Sequence, residues 1–314
     1  MSASNGVVLV SEVGPRDGLQ SIARTMSTQN KCHWIRDLHA AGLREIEVGS
    51  FVPASLLPQM ADVKEVVQHA LSLPGLQVAV LVPNLRGALA AFEAGVHKIT
   101  LPVSVTEAHS LANVRKTREQ VIDELRAIVA VKRERFPTVM VEAGLSVAFG
   151  CTLAGRVEEA ETLRMSELAA ATGVDEVGLS DTSGYAQPRQ VYRLFRALQS
   201  MLGDRCGGAH FHNTRGQGLA NVVAALDAGV TTFDASQGGL GGCPYAPGAS
   251  GNIVTEDLVF LLESMGYDTG IDLLRMADAR ASLQAGLVGE PLYGMVPEAG
   301  LPKDFRYARE CGAL

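Results

Sequence analysis

Four times the chain repeats one phrase. AAGLREIEVGSF, EAGVHKITLPV, ATGVDEVGLSD and DAGVTTFDAS each run from a helix end through Gly and an apolar residue to a polar pair and a strand. A glycine just past a helix can take the left-handed conformation that ends it, so Gly42, Gly95, Gly173 and Gly229 read as C-terminal caps. A repeated helix-to-strand unit constrains the fold strongly, because strictly alternating β and α elements imply a parallel sheet with helices outside. Strand-like runs fall at residues 7–13, 45–51, 77–82, 98–102, 138–147, 176–180, 208–212 and 232–236. Amphipathic patterns fall at 28–41, 56–71, 86–94, 118–135, 156–172, 188–201, 217–228 and 256–265, with Thr28 and Asp62 as helix-start signals. Eight such units predict an α/β protein built as a (β/α)8 TIM barrel. An open doubly wound sheet is the runner-up, but no Gly-x-Gly-x-x-Gly follows the first strand. The catalytic barrel is expected over residues 1–270. Over 271–314 the pattern weakens, and Pro291, Pro297 and Pro302 suggest an extension packed on the barrel.

Composition agrees with one large domain. The hydrophobic fraction of 47% supplies a sizeable core, and 19% charged residues is low for a disordered chain. A formal charge of −7 argues against a general nucleic-acid binder, while a local basic rim can still hold an anionic ligand. The five cysteines, Cys32, Cys151, Cys206, Cys243 and Cys311, are odd in number and form no Cys-x-x-Cys pair. A reducing compartment is therefore expected. With neither a signal-like start nor an apolar run of membrane length, the expectation is a cytoplasmic protein with no membrane partner.

In a barrel of this kind the site lies at the C-terminal ends of the strands, and the polar residues collect there. Strand one ends in Glu12-Val-Gly-Pro-Arg16-Asp17, strand two carries Glu47 and ends in Ser50, and strand three ends in Asn84. Strand six ends in Asp181-Thr182 and strand seven carries His210 and His212. Residues two apart in a strand face the same way, so His210 and His212 can aim at one point, with Asp17 opposite. Mixed nitrogen and oxygen ligation suits Mg, Mn, Co or Zn. His-x-His also occurs as two unrelated strand histidines, and Glu12 or Asp181 can serve only to tie loops. Arg16 beside a cation would stabilise an enolate. The segment GGLGGCPYAPGASGN has the composition of a lid with Cys243 at its edge; the competing reading is a buried, inert thiol. Asn252 reads either as a fourth metal ligand or as a helix cap, with Glu256 supporting the loop or helix start.

The phrases VGPRDGLQ, EVGSFV with PQMAD, HFHNTRGQGLAN and above all GLGGCPYAPGASGNIVTEDLV resemble the 3-hydroxy-3-methylglutaryl-CoA lyase family of DRE-TIM metallolyases. The resemblance implies retro-Claisen cleavage of a tertiary 3-hydroxyacyl-CoA. It implies a divalent ion, Mg or Mn first and Co or Zn next, held by Asp17, His210, His212 and Asn252. It further implies that Arg16 polarises the thioester, that Cys243 is a mobile catalytic thiol, that Glu47 belongs to the proton network with His210, and that the assembly is a homodimer. Gln20, Ser50, Asn84, Ser104, Asp181 and Thr182 are candidate substrate-binding residues, and Arg115, Lys116 and Arg118 offer a basic rim for CoA.

The chain also departs from the family pattern. Ser21-Ile22-Ala23 stands where Asn-Glu-Lys is usual, and Asn213-Thr-Arg215 stands where Asp-Thr-Tyr is usual. These changes fall in the acyl pocket; the reaction is expected to be retained, with 3-hydroxy-3-methylglutaryl-CoA, cleaved to acetyl-CoA and acetoacetate, as the first expected substrate and a related acyl-CoA such as citramalyl-CoA as the alternative. Two further readings are a Claisen-condensing synthase and a non-catalytic barrel that binds acyl-CoA or metal.

Overall fold

The computed structural model describes residues 6–241 and 251–311. Eight strands close into a barrel in sequence order: β1 Leu9–Glu12, β2 Glu45–Ser50, β3 Gln77–Leu81, β4 Lys98–Ser104, β5 Met140–Ser146, β6 Glu176–Asp181, β7 Cys206–Phe211 and β8 Thr232–Ala235. Every neighbouring pair is parallel, and β1 pairs with β8 from Leu9 opposite Thr232 to Glu12 opposite Ala235 to complete the closure. The helices outside are α1 Thr28–Ala40, α2 Val63–Leu71, α3 Leu85–Ala94, α4 Glu107–Val114, α5 Arg118–Arg135, α6 Glu159–Ala171, α7 Pro188–Leu202, α8 Gly218–Asp227, α9 Thr255–Ser264 and α10 Leu273–Gly286.

The repeated phrase is a repeated cap. Gly95 has φ +85° and donates to Phe92 O, while Val96 N reaches back to Ala91 O. The pair Gly229 and Val230 does the same with Leu226 and Ala225. The apolar residue after each glycine is then pinned under the helix: Leu43, Val96, Val174 and Val230 are all buried. This turns the chain back into the sheet at a fixed angle.

The structure differs from the sequence reading at four points. Residues 56–71 are not one helix: Pro58–Met60 is a separate short turn, and α2 starts only at Val63. Asp62 does not cap it with its side chain, because the carboxylate accepts instead from Thr28 Oγ1 and the buried Lys31 Nζ. The strand-four loop contains a helix, α4, capped by Thr106. Beyond residue 270 the pattern does not fade: α10 is capped by Asp272 and buries Leu273, Met276, Ala279 and Leu283 on one face. It packs on α1, where Ser282 Oγ donates to Asp37 at 2.5 Å and Arg275 to Ala40 O at 3.2 Å. Two short helices, α11 Met295–Ala299 and α12 Ala308–Cys311, follow. No helix among the described residues is long and apolar enough to cross a membrane.

The barrel interior is unusual in chemistry. Barrels of this type are commonly filled by branched aliphatic side chains. Here Gly144, Gly178 and Gly208 and the charged Glu45, Lys98, Glu142 and Asp234 line a cavity of about 1200 Å³ open at the C-terminal ends of the strands. Lys98 Nζ lies 3.0 Å from Glu142, 3.5 Å from Glu45 and 3.5 Å from Glu176. At Gly178 a Cβ would stand 2.5 Å from Glu142 Oε1, so this glycine leaves the room for that carboxylate.

Candidate metal centre and active site

The site begins with a wide helical turn, Gly14–Gly18, at the end of β1. The backbone N–H groups of Arg16 and Asp17 both donate to Val13 O, at 3.1 and 2.7 Å, and this turns both side chains over the barrel mouth. Glu12 fixes the turn. Its Oε1 accepts from Gly14 N and Gln237 N, both at 2.9 Å, and its Oε2 from Thr255 Oγ1 at 2.7 Å. Complete burial pushes the Glu12 carboxyl up to about 8 despite these donors. Glu12 therefore joins β1, the turn after β8 and α9, which is the loop-tying role weighed for it.

Asp17, His210 and His212 place ligand atoms within 4.8 Å of one another. His210 Nδ1 is held 3.1 Å from Asp234 Oδ2, which leaves its Nε2 for a ligand role. A carboxylate behind a metal-binding histidine fixes tautomer and ring orientation. Asn252 Nδ2 donates to Asp17 Oδ2 at 2.8 Å and to Leu240 O at 2.9 Å. Its Oδ1 and His212 Nδ1 are buried with no hydrogen-bond partner. A buried acceptor left without a partner is costly unless a ligand completes it, so the residues present fit a divalent cation. The glycine at 241 is part of the fit: φ is +101°, and a Cβ there would lie 2.6 Å from Asn252 Nδ2 and 3.1 Å from Asp17 O. Asn252 is not the helix cap, since Val254 holds that position.

The charges around the cluster are arranged to match. Burial raises the Asp17 carboxyl, but Arg16 and the two histidines outweigh it and bring it down to about 2. Burial and the neighbouring His210 press His212 down to about 4, which keeps it neutral and able to ligate. Burial opposes charge on His210 too, but its bond to Asp234 prevails and raises it. Arg16 donates through Nε to Glu47 Oε2 at 2.5 Å and through NH1 to Asp17 Oδ1 at 2.6 Å. Burial lifts Glu47 to about 7 against the pull of Arg16.

The remaining sequence candidates divide by position. Gln20, Asn84 and Thr182 line the cavity with Arg16, Asp17, Glu47, His210 and His212. Gln20 Nε2 donates to Asp17 Oδ1 at 2.7 Å, Asn84 Oδ1 caps α3, and Thr182 Oγ1 accepts from Val147 N. Ser50, Ser104 and Asp181 lie behind the cavity surface. Ser104 Oγ is bonded to His109 Nδ1 at 2.8 Å, and Asp181 spends both oxygens on Tyr185 N and Ala186 N. Arg115 and Lys116 line the mouth, while Arg118 is turned to Glu107 and Glu161. Glu256 accepts from Gly238 N and pairs with Arg280, supporting the loop. Cys243 lies outside the described residues. Sequence reading missed Asp234, although DAGVTTFDAS puts it two residues past Thr232 on an inward-facing strand position. It also missed Glu290, Pro291 and Tyr293, which bring the extension to the cavity.

A closed parallel barrel with an Asp-His-His cluster, an arginine and a carboxylate at its C-terminal mouth defines a metal-dependent barrel enzyme. Residues 8–283 match the HMGL-like family, and the chain belongs to it. It is 38% identical over 285 residues to the hydroxymethylglutaryl-CoA lyase YngG of Bacillus subtilis, covering 91% of this chain and 94% of that one. It is also 38% identical over 268 residues to the 3-hydroxy-3-isohexenylglutaryl-CoA/hydroxymethylglutaryl-CoA lyase of Pseudomonas aeruginosa, covering 85% and 89%. The solved HMG-CoA lyase of Acinetobacter baumannii, in complex with coenzyme A and 3-methylmalate, superposes with a TM-score of 0.90 at 37% identity, covering 98% and 99%.

Proposed function

We propose that the protein cleaves 3-hydroxy-3-methylglutaryl-CoA to acetyl-CoA and acetoacetate with the help of a divalent metal ion. The observation that carries this reading is the meeting of Arg16 with Asp17, His210, His212 and the partnerless Asn252 Oδ1 at one cavity mouth. The names of the relatives support hydroxymethylglutaryl-CoA over citramalyl-CoA, over a condensing synthase and over a non-catalytic barrel. The coenzyme A bound to the Acinetobacter lyase supports an acyl-CoA partner. Two imidazoles and two oxygen donors suit Mg or Mn, and Co or Zn also fit the donor set.

When bound, the ion supplies Lewis acidity that favours the ionised form of the substrate's 3-hydroxyl. The protein's own groups do the rest. Once the 3-hydroxyl proton leaves, the C2–C3 bond breaks. C3 becomes the ketone carbon of acetoacetate, and the bonding pair moves onto C2 and the thioester oxygen as an enolate. Arg16, already fixed by Glu47 and Asp17, presents donors to that developing charge without reorganisation. Addition of a proton at C2 then gives acetyl-CoA, so the reaction is proton-neutral overall. Glu47, lifted to about 7, is matched to holding a proton between the two steps, and His210 is oriented by Asp234 to exchange one.

The test is metal-dependent release of acetyl-CoA from hydroxymethylglutaryl-CoA by the purified protein. Arg16→Ala is expected to lower kcat by about 100- to 1000-fold, roughly 3–4 kcal/mol of transition-state stabilisation. A folded wild-type protein that binds Mg or Mn and releases no acetyl-CoA overturns the reading.

A further inference from the structure

The extension reaches the active site through a closed ring of polar contacts. Gly238, in the turn after β8, donates its N–H to Glu256 Oε2 at 3.4 Å and accepts at its carbonyl from Tyr293 N at 2.8 Å. Arg280, on α10, closes the ring: its NH1 donates to Glu256 Oε1 at 3.0 Å and to Tyr293 O at 3.1 Å. Glu256 is 4% and Arg280 14% exposed in their side chains, so the pair is shielded from solvent. Below the ring, Asp257 accepts from Met295 N and Val296 N and fixes the far end of the segment.

Both outlets of the ring lead to the site. Two residues past Gly238, the Leu240 carbonyl accepts from Asn252 Nδ2 and so sets the direction of Asn252 Oδ1. One residue later, Gly241 abuts Asp17 and Asn252. On the other side, Tyr293 lines the cavity with Glu290 and Pro291 while the residue remains 55% exposed. Leu292 fills the space beside Gly238, where a Cβ would stand 3.0 Å from it.

We propose that Arg280 is a positioning residue that acts in two directions. It holds the Gly238–Gly241 turn that orients Asn252, and it holds residues 290–293 as a wall of the acyl-CoA cavity. This rests on the lyase reading for the wall and on the ligand geometry alone for Asn252. Replacing Arg280 leaves Glu256 buried without its partner and frees both the turn and the wall. Losing a group in direct contact with a metal ligand commonly costs about tenfold or more in metal affinity; Arg280 acts through Glu256, Gly238 and Leu240, so a smaller, few-fold loss is expected.

The test compares wild type with Arg280→Met, Arg280→Lys and Tyr293→Ala. Mn affinity is measured by calorimetry without substrate, and KM and kcat at saturating Mn. Arg280→Met is expected to weaken Mn binding a few-fold and to raise KM by a similar factor. Arg280→Lys keeps a cationic donor for Glu256 and Tyr293 O and is expected to recover most of both losses. Tyr293→Ala keeps the backbone bonds of the ring, so it is expected to raise KM and leave Mn affinity unchanged. A folded Arg280→Met protein with wild-type Mn affinity and KM overturns the proposal. If that variant does not fold, the other two decide: wild-type KM in Tyr293→Ala removes the wall, and Mn binding no stronger than in a Glu256→Ala control in Arg280→Lys removes the positioning role. Tight Mn binding by a wild type that cleaves no hydroxymethylglutaryl-CoA would sink the lyase reading instead, with the Mn arm still judging Arg280.

Discussion

At the scale of single residues, the proposed ligation makes protons and the metal competitors for the same imidazole. His210 is held above its ordinary value of 6.5 because the Asp234 bond outweighs the burial that opposes its charge. A protonated histidine cannot ligate, so metal binding must displace that proton. The sign follows. Below the raised value, Mn affinity should climb about tenfold per pH unit as pH rises, and above it should level off. His212, already pressed down to about 4, adds no second limb near neutrality. Asp234→Asn removes the negative charge that holds the proton, so the bend in a plot of log affinity against pH should move to lower pH. An unmoved bend would assign the titration to another group. Glu47 gives a separate readout in turnover. Its rise to about 7 predicts a limb of the kcat–pH profile near neutrality, which Glu47→Gln should abolish together with most of the activity.

At the scale of elements, the strands carry charge into a place where barrels usually carry methyl groups. Lys98 on β4 faces Glu45 on β2, Glu142 on β5 and Glu176 on β6. Lys98→Met leaves three carboxylates without their cation and should cost about 3–5 kcal/mol in urea unfolding. The sign of its pH dependence is also fixed. Burial raises Glu45 and Glu176 even against the pull of Lys98, and losing that cation raises them further, so the variant's stability should be greatest at acid pH and fall as pH rises through their raised values. Adding Glu142→Gln should return part of the loss. Lys98 illustrates what was legible in the sequence: the phrase EAGVHKITLPV fixed the cap at Gly95 and the strand that follows. It did not say that Lys98 points inward, because an inward lysine looks like an error in a strand until its three partners on other strands are known. The short α4 hid for a related reason. Its eight residues bury only His109 and Ser110, too few to produce a helical period. The clustering of His210 and His212 was easier to read, since His-x-His fixes a common face by geometry alone. That Ser104 and Asp181 lie behind the cavity surface was not legible, because strand-end positions do not reveal that their hydrogen bonds are spent on His109 and the backbone.

At the scale of the whole molecule, closing the barrel is what brings the candidate ligands together. Asp17 follows β1, His210 and His212 mark the end of β7, and Asn252 pairs across to His212 from the segment before α9. These positions are as much as 235 residues apart in the chain. The cluster therefore exists only when β1 and β8 are zipped, from Leu9 opposite Thr232 upward. A ligand that binds only the closed barrel must stabilise the closure itself. At a free metal concentration of about 100 times Kd the expected gain is about 2.7 kcal/mol. For a domain of this size that corresponds to a rise in Tm of roughly 4 °C. Thermal unfolding with and without Mn, reversed by a chelator, measures it. His212→Ala should leave the metal-free Tm near that of wild type and abolish the Mn-dependent rise, because the ring it removes already carries a partnerless buried nitrogen. Gly241→Ala should reach the same end from the other side. Its methyl group would displace Asn252 and strain a backbone at φ +101°, lowering Tm even without metal and removing most of the increment. An Mn-dependent rise that survives intact in both variants would mean that the ion binds elsewhere on the molecule.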